Sequence, residues 1–242
     1  MFNEKLTALF CLRNKRKQDD NKNFKLRDKL ILEGTMEKVL GKVTCFITRK
    51  NNNKHELLLI QHPSAGIQFP AGTVEINEKY EQAAIREAIE ETGLKEFDSC
   101  KIIGSQEQKL DGKYVIFDKA KIYSKPDTSS FQWAEIRRGI TVIHERKHGD
   151  FVQISYKEGD KYPEPNFISY QITGWTKDSN LASKVTRKFY HLQSHSQFDD
   201  WEMETDNQKF KLFWTPLDNL PQIVSPQNEW LDYLLNELNN RV

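Results

Sequence analysis

The pattern of hydrophobic and polar positions predicts a β-hairpin early in the chain. Apolar residues alternate with more polar ones from 42 to 48, which is a strand signal, and an apolar run follows from 56 to 60. The polar triplet Asn51-Asn52-Asn53 between them is typical of a turn. A short extended piece at 67–70 comes next, and the Pro-Ala-Gly that follows breaks it.

Further strand signals alternate with turns along the chain. We predict strands at 101–106 and 114–123, separated by a tight turn at Asp111-Gly112. From about 127 to 183 the sequence contains repeated strand signals and no convincing helix. The elements predicted after residue 127 are strands at 140–142, 151–156, 167–175, 187–192 and 209–214, with a turn at 148–150.

Both ends of the chain contain apolar residues with helical spacing. The extension at 1–36 is charged and irregular, and we expect it to be partly helical. Near the other end, Ser225 is predicted as an N-cap and Pro226 as the first helical residue. The apolar stripe of this terminal helix consists of Trp230, Leu231, Leu234, Leu235 and Leu238.

A second predicted helix, from about 79 to 92, carries clustered carboxylates and ends at Gly93, which is typical of a left-handed cap. Successive helix residues turn by about 100°, so Glu87, Glu90 and Glu91 share an arc of roughly 100°. The residues expected to pack on the core from the opposite side are Ile85, Ala88, Ile89 and Thr92.

The three clustered carboxylates repel one another, which weakens an isolated helix. A hard divalent cation would offset this repulsion, because magnesium favours carboxylate and phosphate oxygens. Ala83 is expected to lie beneath the carboxylates and is small enough to let a metal ion and its waters approach. The alternative for such a string of residues is a solvated acidic face without a role.

The segment from 72 to 94 resembles the Nudix box. That pattern is Gly, five residues, Glu, seven residues, Arg-Glu, an aliphatic, any residue, Glu-Glu, any residue, Gly and an aliphatic. Its fixed positions are all filled, by Gly72, Glu78, Arg86, Glu87, Glu90, Glu91, Gly93 and Leu94. One variable position departs from the pattern, since Ala88 is smaller than the usual aliphatic residue. The resemblance covers about 37–125 and 184–242.

The resemblance implies a metal site and a reaction. Glu87, Glu90 and Glu91 look like the metal ligands, and Gly72 looks like the residue that adds a carbonyl ligand. The implied metal is Mg²⁺ or Mn²⁺. The implied reaction is attack of water on a diphosphate, with Glu90 or Glu91 as the candidate base and the cation neutralising charge on the phosphate oxygens.

The resemblance also implies supporting roles in the catalytic set. Arg86 and Glu78 look like the pair that braces the loop and helix, and they join Glu90 and Glu91 in that set. A further carboxylate far along the chain completes the site in some members of the family. Glu202 and Glu204 are candidates for it, and Asp118 stays open.

The fold implied is of the α/β class, a Nudix-type α/β/α sandwich around a mixed sheet. We assign 1–36 to the extension, 37–126 and 184–242 to the two parts of the core, and 127–183 to a β-rich insertion. The insertion weakly resembles a small Src-homology-type β-barrel. We expect it to shape substrate entry or a dimer interface.

Other side chains are weaker candidates for substrate contacts. Arg49 and His62 lie near the early hairpin, and Glu204 precedes the late strand; each has a structural alternative. Aromatic residues of the insertion would either stack on a base or form the core of a small β unit. These are Phe151, Tyr156, Tyr162, Phe167, Tyr170 and Trp175.

Composition narrows the environment and the partners. Lys and Arg total 36 against 35 Asp and Glu, a net charge of +1, so no global attraction to long nucleic acid or an anionic membrane is expected. The three cysteines have no metal-ligand spacing, and the start does not resemble a signal peptide. We therefore expect a cytoplasmic protein. A homodimer and an RNA 5′ end as substrate stay open.

Two classes of function follow from these residues. The first is a pyrophosphohydrolase that acts on a nucleoside diphosphate linked to another moiety, with a small-molecule nucleotide as its substrate. The second is a catalytically silent module that senses a nucleotide on the same fold. The complete set of box carboxylates favours the enzyme.

Overall fold

The predicted hairpin is formed by β1 (Val39–Asn51) and β2 (Lys54–His62) in a computed structural model of the protein. The structure describes residues 37–52, 54–161, 164–205 and 208–240. The partly helical extension expected at 1–36 lies outside these residues. Within the described ranges, no helix is long and apolar enough to cross a membrane.

The first sheet has eight strands and mixed direction. Its remaining strands are β3 (Gly66–Gln68), β4 (Ala71–Thr73), β5 (Ser99–Lys109), β13 (Lys184–Gln193), β14 (Asp200–Thr205) and β15 (Gln208–Pro216). The order is β14-β15-β2-β1-β13-β5, with β3 on β2 and β4 on β1. Only the pairing of β1 with β13 is parallel among these described strands.

Two helices cover the faces of this sheet. Alternate residues of a strand point to opposite faces, so Cys45 of β1 packs with α1 (Tyr80–Thr92) while Phe46 packs with α2 (Gln227–Asn239). The α1 side is built on Ala84 and Ala88. The predicted α/β/α sandwich around a mixed sheet is confirmed.

The predicted core face of α1 was partly wrong. Ala88 and Thr92 are buried as expected, but Ile89 is 37% exposed. The buried side also includes Ala83 and Ala84, whose small side chains let the helix lie close to β1; the Cys45 thiol donates to the Ala84 carbonyl at 3.2 Å. The helix is therefore rotated so that its carboxylates stand at the rim of the buried face.

The start of α2 also differs from the prediction. The N-cap is Pro226, with Gln227 as the first helical residue, and no side chain caps this end. The predicted stripe is otherwise present: Leu234 is fully buried, with Trp230, Leu231 and Leu238 packed around it.

A second, antiparallel sheet of seven strands lies between β5 and β13 in the sequence. It is curled like half a barrel. Its strands are β6 (Lys113–Ile116), β7 (Ala120–Tyr123), β8 (Gln132–Ile136), β9 (Thr141–His148), β10 (Phe151–Gly159), β11 (Ile168–Lys177) and β12 (Leu181–Ala182). Their order is β12-β6-β9-β10-β11-β7-β8. The predicted domain bounds assigned residues 113–123 to the first part of the NUDIX-like core, but the strands in this range pair within the second sheet.

Candidate functional site

Arg86 braces the segment between β4 and α1. Its Nε and Nη2 donate to the two carboxylate oxygens of Glu78 at 2.8 and 2.9 Å, and Nη2 also donates to the Thr73 carbonyl at 3.1 Å. Glu78 in turn accepts from the Glu75 backbone N–H at 2.8 Å. The hydrogen bonds from Arg86 lower the pKa of Glu78, and those to Glu78 raise the pKa of Arg86. This bidentate pair fixes the chain on both sides of the helix start.

The same guanidinium holds two of the acidic side chains of α1. Arg86 Nη1 donates to Glu87 Oε1 at 2.8 Å and to Glu90 Oε2 at 3.0 Å. Glu87 is largely buried, with 13% of its side chain exposed, whereas Glu90 is 58% exposed. Burial raises the pKa of Glu87, although Arg86 partly offsets this.

Gly72 allows the Glu87 carboxylate to lie against the backbone of β4. A Cβ atom at residue 72 would lie 1.8 Å from the Glu87 carboxyl carbon, so a side chain there would displace the carboxylate. The glycine of the sequence motif is thus required by a close approach rather than by a special backbone angle. It places the carbonyl-bearing backbone beside a carboxylate.

Glu91 is the most deeply placed of the three carboxylates. Its Oε2 accepts from the Ala71 backbone N–H at 2.8 Å. Burial raises its pKa to about 8, with further increases from the charges of Glu87 and Glu90. A positive charge in the cavity would stabilise the ionised form that burial disfavours.

The three carboxylates line one cavity of about 450 Å³. Its other walls are mostly apolar and come from β2, β3, β14 and β15, because the β14–β15 hairpin folds over the end of α1. The Trp201 indole N–H donates to the Thr92 carbonyl at 2.8 Å and fixes that hairpin. The remaining lining residues are Ile60, His62, Gln68, Phe69, Ala71, Arg137, Met203 and Phe210.

The residues present fit a hard divalent cation in their chemistry. Carboxylate and backbone carbonyl oxygens are the donors that Mg²⁺ and Mn²⁺ prefer, and the lack of a Cβ at Gly72 brings its backbone close to the Glu87 carboxylate. Within the described part of the chain, no three His, Cys, Asp or Glu side chains are arranged as a metal-ligand cluster. In this structure Glu87 and Glu90 both accept from the same nitrogen of Arg86.

Of the weaker candidates, His62 lies in the cavity and Arg49 does not line it. The His62 ring packs edge-on against Phe210 at 5.0 Å, its Nδ1 accepts from the Ser64 N–H at 3.1 Å, and burial lowers its pKa.

Arg49 lines a different cavity, where it donates to Glu56 at 2.7 Å and to the Phe198 carbonyl at 2.6 Å. Its guanidinium lies over the Trp214 ring. Its contacts are those of a structural residue.

The candidates Glu202 and Glu204 were predicted to lie before the late strand, but the structure places them in a strand of their own. Both residues lie within β14 and are exposed, while Met203 between them lines the cavity. Since neighbouring strand residues point to opposite faces, Glu202 and Glu204 face away from it. Asp118 lies in the β6–β7 turn, where it accepts from the Lys119 N–H at 2.8 Å.

Among the aromatic residues singled out in the insertion, those that the structure describes do not line this cavity. Tyr156 packs against the core of that sheet and Trp175 is only 7% exposed. Phe151 packs edge-on against Tyr123, with ring centroids 6.4 Å apart. Phe167 and Tyr170 are exposed, and Tyr162 lies outside the described residues.

Arg137 lines the cavity from the loop between β8 and β9 and was not among the residues predicted from the sequence. The apolar wall formed by Phe69, Met203 and Phe210 was not predicted either. An available signal was the run Arg137-Arg138-Gly139, two cations before a glycine at the end of a strand pattern. Nothing in that run indicates which part of the fold it faces.

Comparison with known proteins gives one family model that is similar to part of the chain. Residues 41–128 match the family model described as the NUDIX domain. A search of curated proteins found no significant match.

Three solved structures are among those with similarity to the chain. The NUDIX domain of Shewanella oneidensis NrtR, complexed with ADP ribose, has 11% identity and a TM-score of 0.44, covering 85% of this chain and 92% of that one. The Ap4A hydrolase of C. elegans has 15% identity and a TM-score of 0.31, covering 75% and 83%. A putative NUDIX hydrolase of Listeria monocytogenes has 14% identity and a TM-score of 0.38, covering 83% and 94%.

Proposed function

We propose that the protein hydrolyses the diphosphate linkage of a nucleoside diphosphate joined to another moiety, a proposal supported by the match of residues 41–128 to the NUDIX domain model. The observation that carries the proposal is the cavity lined by Glu87, Glu90 and Glu91, with Gly72 packed against the first of them. The rest of the lining is large enough and apolar enough to hold an organic group next to a charged centre.

In this proposal, Mg²⁺ or Mn²⁺ is held by Glu87, Glu90, Glu91 and the carbonyl of Gly72. The cation neutralises charge on the phosphate oxygens when it is bound. Arg86 and Glu78 keep the ligand-bearing helix and the β4 backbone in a fixed relation, which is the preorganisation that phosphoryl chemistry needs.

The chain's own part in the reaction is to place a water molecule and accept its proton. Water attacks a phosphorus atom, a new P–O bond forms, and the bond to the bridging oxygen breaks. The proton of the water goes to Glu90 or Glu91, and the second phosphate leaves with the bridging oxygen. Two phosphomonoesters result, with no oxidant or reductant required.

The test is a product-resolved hydrolysis screen with Mg²⁺ or Mn²⁺ present. The substrates are nucleotide sugars, dinucleoside polyphosphates, nucleoside triphosphates and triphosphorylated RNA. Glu91→Gln keeps the acceptor for the Ala71 N–H but removes the charge, and we expect it to lower turnover at least about a hundredfold. The matched control is Glu81→Gln, an exposed residue in the first turn of the same helix, which should keep native turnover.

The outcome separates the two classes of function. Metal-dependent turnover of one substrate class, lost in Glu91→Gln alone, supports the hydrolase. Saturable nucleotide binding by the native protein without any product would overturn it and favour the silent sensor.

A further inference from the structure

The second sheet reaches the carboxylate cavity through the loop Arg137–Gly139, which joins β8 to β9. Arg137 lines the cavity that also contains Glu87, Glu90 and Glu91. The NUDIX box supplies a second arginine, Arg86, whose guanidinium donates to Glu78, Glu87 and Glu90. Arg137 therefore places a positive charge at the cavity from a part of the chain that the sequence resemblance did not cover.

The loop is fixed to the catalytic segment by hydrogen bonds. Arg138 Nη2 donates to the Val74 carbonyl, just after β4, at 3.1 Å, and its guanidinium lies 4.8 Å from the centre of the Phe117 ring. Lys42 Nζ of β1 donates to the Gly139 carbonyl at 3.2 Å. These contacts join Arg138 and Gly139 to β1 and to the segment just after β4.

Gly139 makes this close approach possible. Its φ is +86°, and a Cβ atom there would lie 2.5 Å from Thr73 Oγ1. Its N–H donates to the Ile116 carbonyl at 2.8 Å. A glycine is thus needed for both the backbone conformation and the contact with β4, so the position of Arg137 is built into the fold.

The charge distribution of the cavity indicates what Arg137 binds. The acidic side chains of α1 stand on one wall, and a metal ion bound there would attract phosphate oxygens to the space between α1 and the β8–β9 loop. A guanidinium is suited to such oxygens because its planar N–H groups donate two parallel hydrogen bonds. The apolar wall of Phe69, Met203 and Phe210 leaves room for the rest of the molecule.

We propose that Arg137 binds the diphosphate group of the substrate, so that the second sheet completes the substrate site of the NUDIX domain. This proposal rests on the proposed function, because it takes a diphosphate as the ligand. It makes Arg137 a substrate-binding residue and Arg138, Lys42 and Gly139 the groups that position it.

The experiment is calorimetric titration with α,β-methylene-ADP, a diphosphate analogue that resists cleavage at the bridging position, in the presence of Mg²⁺. Arg137→Gln should weaken binding at least about tenfold, the effect expected from losing charge-assisted hydrogen bonds. Arg137→Lys keeps the charge and should recover part of the loss. The control is Arg146→Gln on β9 of the same sheet, exposed and paired with Gln153, which should bind as the native protein does.

A second readout separates substrate binding from a structural role. Mn²⁺ affinity in the absence of nucleotide should be unchanged in Arg137→Gln, and the thermal midpoint should show that the variant stays folded at the temperature of the titration. A fall in either one that accounts for the weaker nucleotide binding would overturn the proposal. Native affinity for the analogue in Arg137→Gln would also overturn it.

The results distinguish this proposal from the proposed function. Native protein that binds the analogue through Arg137 yet hydrolyses no substrate would sustain the binding role and reject the enzyme. Native protein that hydrolyses a substrate while Arg137→Gln does so with unchanged KM would sustain the enzyme and reject this role. Absence of binding to the native protein at millimolar analogue would reject both.

Discussion

Gly72 and Glu87 show at the scale of single residues why the sequence motif has its spacing. The carboxylate occupies the space where any side chain at residue 72 would stand. Because Glu87 also accepts from Arg86, its position depends on both the missing Cβ and the guanidinium. The motif therefore encodes a contact between a strand and a helix, which can be tested by adding one methyl group.

Gly72→Ala should displace the Glu87 carboxylate and weaken Mn²⁺ binding by at least about tenfold, the usual scale when the support of a ligand is lost. Isothermal calorimetry measures this directly. Gly149→Ala is the control: at φ +55° with open space around it, it should cost roughly 1–2 kcal/mol of stability and leave Mn²⁺ affinity unchanged. Native Mn²⁺ affinity in Gly72→Ala would contradict the proposed metal site.

The residues of the motif could be identified from the sequence because their spacing is local. Glu87, Glu90 and Glu91 lie within two turns of one helix, so the 100° rotation per residue places them together. Arg137 and Met203 could not be found this way. Arg137 reaches the cavity from the β8–β9 loop and Met203 from β14, both distant in sequence from α1, and their positions depend on tertiary pairing that no local period reports.

At the scale of elements, the start and end of α1 could be predicted from the sequence, but the rotation of the helix about its own axis could not. Gly93 adopts φ +72° and ends the helix as predicted. The prediction that Ile89 is buried was wrong, because Ala84 and Ala88 pack closest to the sheet. Hydrophobicity alone favours isoleucine as the buried residue, whereas close helix–sheet packing here uses small side chains.

The terminal helix gives a stability test at the same scale. Leu234 is fully buried between α2 and the first sheet, and Leu234→Ala should lower the free energy of unfolding by about 2–5 kcal/mol. Leu235→Ala is the control, since Leu235 is only partly buried and lies outside that cluster; about 1 kcal/mol or less is expected. Urea unfolding monitored by circular dichroism measures both. Equal losses would contradict the packing of α2.

At the scale of the whole molecule, Lys42 links the two sheets by donating to the Gly139 carbonyl. Burial, and then the charge of Arg187, lower its pKa from 10.5 to about 8. Between pH 8 and 10.5 the unfolded chain therefore binds more protons than the folded one. Stability from this group rises with pH across that window and is constant below it.

Lys42→Met should remove that pH dependence. The difference in unfolding free energy between the native protein and the variant should shift by about 1–3 kcal/mol in favour of the native protein from pH 8 to 10.5. The measurement is urea unfolding at several pH values. Lys121→Met, an exposed residue on β7, should show no such shift. A difference that does not vary with pH would contradict the buried environment of Lys42.

The second sheet shows what sequence reading misses at this scale. Its strands were recognised as strands, but the local pattern does not say which strands pair. β6 and β7 join the second sheet because they pair with β9, β11 and β12. The chain leaves the first sheet at Lys109, the end of β5, and returns at Lys184, the start of β13. These two residues are register partners, so the second sheet extends from the end of an antiparallel strand pair.

The most direct test of the central claim is a single-turnover reaction in H₂¹⁸O, with protein in excess over the diphosphate substrate identified by the screen and Mg²⁺ present. Mass spectrometry of the products reports where the oxygen of water arrives. Attack of water on phosphorus predicts one ¹⁸O atom in one of the two phosphomonoester products. The need for a divalent cation predicts no reaction when EDTA removes the metal. Complete recovery of the substrate at saturating binding, or ¹⁸O attached to carbon rather than to phosphorus, would contradict the central claim.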